Sequence, residues 1–128
     1  MKEVLLQKAK EALKNAYAPY SNFHVGAALL CKNGNIYIGC NVENIAGTSI
    51  CAERTAVCKA ISEGDNEFAA MAIDCENHFS TALYPKETLT PCGFCLQTLS
   101  EFCNADFLIH TPTQTYKLGE LMPYRFSK

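Results

Sequence analysis

The 128-residue chain lacks a basic excess: 11 Lys and Arg stand against 13 Asp and Glu, for a formal net charge of −2, and the basic residues form no run. A protein that grips many phosphates ordinarily carries such an excess, so a small neutral substrate suits this balance better than a polynucleotide. No apolar run approaches the length needed to span a bilayer. The opening segment, MKEVLLQKAKEALKNAY, breaks its apolar residues with charges every few positions. It does not read as a secretory leader, and the cytosol is the expected compartment. Repeats, linkers and low-complexity stretches are lacking too. With 48% hydrophobic and 19% charged residues, the chain is expected to form one domain, 1–128, with a core of its own.

Cysteine is what the chain has in plenty: eight residues. In a reducing compartment disulfides are disfavoured, and metal binding or catalysis gains weight. Cys31, Cys40, Cys58, Cys75 and Cys103 stand singly in apolar surroundings and read as buried small hydrophobes. Cys51, Cys92 and Cys95 do not.

Apolar residues at helical spacing predict a helix over 2–16, ended before Pro19. FHVGAALLC (23–31) and IYIGC (36–40) flank Asn33-Gly34 and predict a hairpin. Residues 41–49 read as a loop, 50–63 as a helix closed by Gly64, and FAAMAID (68–74) as a buried strand. A long polar loop over 75–91 leads to a second helix over 92–103, a strand over 106–110, a weaker strand over 114–118 and a turn. A hairpin followed by strand–helix alternation implies an α/β fold whose mixed sheet is covered by helices.

Two short segments carry the chemistry: Cys51-Ala52-Glu53-Arg54 and Pro91-Cys92-Gly93-Phe94-Cys95. The spacing of Cys92 and Cys95 is close to one helical turn, so both sulfurs can face one metal. Cys51 would complete three thiolates, leaving a fourth position open for water, as in catalytic zinc sites. C-x-x-C alone also marks redox motifs and half of a structural zinc finger. Two further features favour catalysis: Glu53, two residues after a candidate ligand, and the proline directly before the second pair. One turn into a helix that starts at the metal, the Glu53 carboxylate can reach a metal-bound water and act as general base and acid. A glutamate favoured by the helix dipole is the plain alternative. Three thiolates on a dication leave a net charge near −1, which helix N-termini aimed at the sulfurs would partly offset. Arg54 is placed to hydrogen-bond a thiolate and offset more, or else is a surface helix arginine.

At these residues the chain resembles the cytidine deaminase family, nearly end to end. The resemblance implies a three-layer α-β-α fold with a mixed central sheet of about five strands. It also implies one zinc per subunit on Cys51, Cys92 and Cys95, with Glu53 as the catalytic residue. AYAPYSNFHVGAALL (16–30) is similar to the first hairpin of the nucleoside-specific branch, and places Phe23 beside the nucleoside. GCNVENIAG (39–47) is similar to that branch's sugar-binding loop, with Asn41 and Glu43 on the ribose hydroxyls. The backbone near Ala52 would meet the base edge. ELMPYRF (120–126) looks like the family's C-terminal segment, whose phenylalanine, here Phe126, reaches a neighbouring subunit's site in a homotetramer. The implied reaction is hydrolytic deamination of cytidine and 2'-deoxycytidine to uridine and 2'-deoxyuridine with release of ammonia, a cytoplasmic step of pyrimidine salvage. No nucleic acid or membrane partner is expected.

The chain departs from the family's pattern in three places. Leu96 stands where an arginine usually follows the last zinc cysteine. The loop from Asn41 to Cys51 is about one residue shorter and lacks the usual tyrosine. The segment from Cys75 to Thr90 is several residues longer. These departures keep a second substrate class in view: a related amino-nucleoside such as blasticidin S, or another amino-heterocycle. A zinc module without turnover would need a fourth protein ligand, for which His24, His78 and His110 are the spare candidates. A polynucleotide editor is opposed by the acidic balance and the sugar-binding loop.

Overall fold

The structure is a computed structural model and describes residues 1–77 and 86–127. It contains a five-stranded mixed sheet in the order β2-β1-β3-β4-β5. β1 (Phe23–Cys31) and β2 (Ile36–Cys40) form the expected antiparallel hairpin. Its turn uses Gly34 at φ +94°, the left-handed conformation for which glycine is suited. β3 (Phe68–Asn77) pairs antiparallel with β1 and parallel with β4 (Leu108–His110), and β5 (Thr115–Lys117) closes the far edge antiparallel to β4. The parallel step requires a crossover, which α3 (Gly93–Phe102) supplies.

Strand periodicity of two sorts the sheet residues between two helical layers. On one face the sheet offers Ala28, Ala70 and Ala72, and α1 (Lys2–Leu13) lays Leu5 and Ala9 on them. On the other, larger residues (Leu29, Met71, Ile73 and Ile109) meet Ala56, Val57 and Ala60 of α2 (Ala52–Ser62) and Leu96 and Leu99 of α3. Leu5 is wholly buried, so Leu5→Ala removes a filled volume and costs about 2–5 kcal/mol. Two glycines set how near the helices come. A Cβ on Gly26 would lie 2.0 Å from the Ala9 carbonyl oxygen of α1, and one on Gly39 would lie 2.6 Å from the Ala56 nitrogen of α2.

α2 stops where expected. The Asp65 N–H bonds the Ala60 carbonyl and the Gly64 N–H bonds that of Ile61, with Gly64 at φ +92°. Asp65 then accepts hydrogen bonds from Asn33, Asn35 and Tyr37, which tie the hairpin to this helix end.

The first helix ends at Leu13 rather than 16, and β3 runs on to Asn77, where a loop was expected from residue 75. β3 extends because the start of β1 provides partners, through Phe23↔Asn77 and His24↔Glu76. A 3₁₀ turn at Lys86–Thr88 interrupts the expected 75–91 loop, of which residues 78–85, including His78, lie outside the described residues. The expected turn after residue 118 begins with a short helix, α4 (Leu118–Leu121), where Glu120 bonds back to the Lys117 N–H. Of the single cysteines, Cys31 and Cys75 are buried and Cys40 and Cys103 partly so, but Cys58 is exposed on the outer side of α2, against the expectation of burial.

Candidate active site

Cys51 and Cys92 are the N-cap residues of α2 and α3, both in extended backbone conformation. The helices therefore start at the sulfurs, with N–H groups that have no partner within the helix and positive dipole ends beside them. Cys95 follows on the first turn of α3 and is buried. The Cys51 and Cys92 sulfurs are 3.6 Å apart, as are those of Cys92 and Cys95, and all three lie within 4.8 Å of one another. These separations are far too long for disulfides. They match the edge of a tetrahedron around a zinc ion with zinc–sulfur bonds of about 2.3 Å, an edge of about 3.8 Å.

The charges argue for a cation too. Cys51 is lowered to about 5, by hydrogen bonding with Cys95 first and by Arg54 besides. The Cys51 thiolate, with burial, pushes the Cys95 thiol well up. Without a cation the sulfurs share protons; a dication between them removes that conflict. Among the described residues the metal-ligating group consists of these cysteines alone. His110 ends β4, with Nδ1 hydrogen-bonded to Thr115 Oγ1 at 2.9 Å, and is no part of the group.

Glu53 sits in the first turn of α2 with 5% of its surface exposed. Burial raises its carboxyl to about 7, and the Cys51 thiolate adds to the rise. Arg54 sends Nη2 to within 3.5 Å of the Cys51 sulfur, while its guanidinium lies 5.7 Å from the centre of the Phe94 ring. Charge and hydrogen bonding at Cys51 keep that guanidinium firmly protonated.

A cavity of about 220 Å³ opens in front of Cys51, Glu53 and Cys92, with Ala52 in its wall and Phe23, Asn41 and Glu43 lining it as well. The loop before α2 is closed by the pair Val42–Ile50, which exchanges two 2.9 Å hydrogen bonds and so delivers Cys51 to the cavity. Asn41 accepts from the Val25 N–H and donates to the Phe23 carbonyl, at 2.9 and 2.8 Å. Glu43 accepts from the N–H groups of Tyr20 and Ser21 and from the Ser21 hydroxyl. Each keeps some capacity: one N–H on the Asn41 amide and one acceptor site on the Glu43 oxygen that faces the Ser21 hydroxyl.

The chain matches the family described as the cytidine and deoxycytidylate deaminase zinc-binding region, over residues 1–111. It belongs to that family. It is 39% identical to the cytidine deaminase of Sporosarcina psychrophila, over 98% of this chain and 91% of the relative. It is 40% identical to that of Mycobacterium tuberculosis, over 96% and 87%. The crystal structure of the cytidine deaminase from Burkholderia pseudomallei matches with a TM-score of 0.86 at 37% identity, covering 98% of this chain and 99% of that one. The matched deaminase region contains all three cysteines, and the fold agrees with the expected α/β architecture.

Of the residues singled out from sequence, the structure brings Phe23, Asn41, Glu43, Cys51, Ala52, Glu53 and Cys92 to one cavity, with Cys95 and Arg54 against the sulfurs. Phe126 is not among them. Its carbonyl accepts from Gln97 of α3 and the residue is 84% exposed. Sequence reasoning missed Val25, Ser49, Ile50, Leu89 and Thr90 in the wall and Ser21 behind Glu43. Adjacency to Cys51 was the available signal for Ser49 and Ile50. Leu89 and Thr90 belong to the lengthened segment, where no spacing rule applies.

Proposed function

We propose that this protein is a hydrolase of a cyclic amidine C–N bond, converting cytidine and 2'-deoxycytidine to uridine and 2'-deoxyuridine with release of ammonia. One observation carries the reading. Cys51, Cys92 and Glu53 line one cavity together with Phe23, Asn41 and Glu43, and the Cys95 sulfur lies within 4.8 Å of the other two. Cytidine deaminases 39% and 40% identical over nearly the whole chain support it, and they do not favour the amino-heterocycle alternative.

Cys51, Cys92 and Cys95 hold the zinc. When bound, it supplies a water of lowered pKa at neutral pH. Phe23 packs on the base, while Asn41 and Glu43 use their remaining hydrogen-bonding capacity on the ribose hydroxyls. The backbone at Ala52 meets the base edge. A Glu53 carboxylate oxygen takes one proton from the attacking water and passes it to N3 as the new C–O bond forms at C4. The second proton of the water goes by the same carboxylate to the amine. The C4–N bond breaks, ammonia leaves and the C4 carbonyl remains. A carboxyl poised near 7 is suited to both giving and taking protons. Arg54 offsets the negative charge of the thiolates.

The working form is a cytoplasmic homotetramer with sites near subunit interfaces, acting on free nucleosides rather than polynucleotides. Supporting the assembly, apolar side chains are bare on the single chain: Ile45 at 88% exposed, Tyr124 at 99% and Phe126 at 84%. No helix among the described residues is long and apolar enough to cross a membrane.

The decisive experiment is ammonia release from cytidine by the zinc-loaded protein, with Glu53→Ala as the blank. Release that depends on Glu53 is the expected result. Absence of release with one zinc bound per chain would refute the substrate assignment. Light scattering that returned a monomer at working concentration would refute the tetramer.

A further inference from the structure

Three thiolates on a dication carry a net charge near −1, and this chain has few ways to offset it. α3, which bears Cys95 and begins at Cys92, reads GFCLQTLSEF and holds no Lys or Arg. Leu96, next to Cys95, is buried in the core among Leu99 and Ile109 and brings no charge. The task falls on Arg54 of α2, whose Nη2 reaches the Cys51 sulfur at 3.5 Å.

An arginine side chain has several rotatable bonds, so hydrogen bonding to sulfur alone leaves the part-buried Arg54 guanidinium incompletely fixed. The structure provides a second hold. Phe94, between the two α3 cysteines, sets its ring 5.7 Å from the Arg54 guanidinium carbon, within the range of a cation–π contact. The ring is carried by the same helical turn that carries Cys92 and Cys95. Phe94 itself is 76% exposed, so filling the core does not account for an aromatic side chain there.

We infer that Phe94 is a positioning residue: its ring face holds the Arg54 guanidinium against the Cys51 sulfur, letting a single arginine serve the thiolate cluster. The inference rests on the zinc reading of that cluster. It assigns a purpose to the aromatic residue inside the C-x-x-C turn of a chain that has leucine at position 96.

The test is zinc affinity, measured by competition with a chromogenic chelator, for the full-length protein and its Phe94→Leu, Phe94→Tyr and Arg54→Gln variants and the Phe94→Leu/Arg54→Gln pair. Leucine keeps the bulk and removes the π face. The expected result is affinity about three- to tenfold weaker for Phe94→Leu and retained for Phe94→Tyr. Phe94→Leu should cost nothing further once Arg54 is Gln. In the cobalt-loaded protein the sulfur-to-metal charge-transfer band should shift alike in Phe94→Leu and Arg54→Gln and stay put in Phe94→Tyr. Wild-type affinity in Phe94→Leu would overturn the inference. So would an equal loss in both Arg54 backgrounds, which would assign Phe94 to some other contact. If the wild-type protein takes up no zinc at all, the zinc reading fails, a result distinct from either of these.

Discussion

Of the residues lining the cavity, Cys51, Glu53 and Cys92, here the metal end, are placed by helix backbone at the starts of α2 and α3, whereas Asn41 and Glu43, here the nucleoside end, bond into the fold with their own side chains as well as their backbone. At the metal end the fold and the chemistry are borne by different atoms. The helices keep their starting points whether or not the side chain is present. At the nucleoside end the same amide and carboxylate that would bind a sugar also close the start of β1 and the loop before it. Substitutions at the first end should therefore remove function and spare the fold. At the second they should injure both.

The largest effects test the first half of that contrast. Glu53→Gln should lower turnover by at least about 100-fold while one zinc per chain stays bound. Cys95→Ala should abolish turnover by losing the metal, and its unfolding midpoint should no longer respond to chelator. Metal analysis beside the assay tells the two apart, and zinc lost from Glu53→Gln would contradict its role as a residue that moves protons. Glu53 also predicts a pH effect in the metal-free protein. Its folded carboxyl, raised to about 7 from an ordinary 4.5, binds its proton more tightly than the unfolded chain does. The stability it contributes is thus present below about pH 4.5 and is lost as the pH rises through 7. Chemical denaturation of wild type and Glu53→Gln across that window should show the wild type losing ground to the variant as pH increases. A constant difference would refute the shift.

The next effect tests the other end. Asn41→Ala leaves the Val25 N–H and the Phe23 carbonyl without their side-chain partner, at a cost of about 1–3 kcal/mol. It should also raise KM for cytidine far more than for free cytosine, which has no ribose to lose. A KM change without a stability change would break the proposed dual use of this residue. Equal effects on cytidine and cytosine would remove it from the ribose.

The two ends differ in legibility as well. The metal end was readable because helix starts are written locally. Cysteine, then glutamate two residues on, and Pro-Cys-x-x-Cys fix spacing through backbone geometry that any helix shares. At the other end the sequence named Asn41 and Glu43 through resemblance but did not show which groups they hold in the fold. Their partners lie 16 and 22 residues away, at Val25 and Ser21, and are set by tertiary closure. The strand pattern showed the hairpin and the order of elements. It missed the extension of β3 past residue 74 because pairing with the start of β1, not local propensity, carries the strand on. The contact of Phe94 with Arg54 joins two helices and has no sequence signal beyond the position between the cysteines.

The smallest effect on turnover separates the two helical layers. Gly26→Ala drives a Cβ into the Ala9 carbonyl oxygen and the Leu13 nitrogen of α1, at 2.0 and 2.5 Å, and Gly39→Ala drives one into the Ala56 nitrogen and Ala52 carbonyl oxygen of α2, at 2.6 and 2.8 Å. All four are backbone atoms, so no flexible side-chain end can yield and the helix must move. Each substitution should cost about 1–3 kcal/mol or more, Gly26→Ala the more because its contacts are shorter. Their effects on catalysis should run in the opposite order. α1 carries none of the residues at the cavity, whereas the start of α2 carries Cys51, Ala52 and Glu53. Assayed where both variants remain folded, Gly39→Ala should lose turnover per folded molecule severalfold and Gly26→Ala should keep it. If both lost turnover equally, the site would depend on the sheet as a whole, and helix starts could no longer be credited with holding the metal end in place.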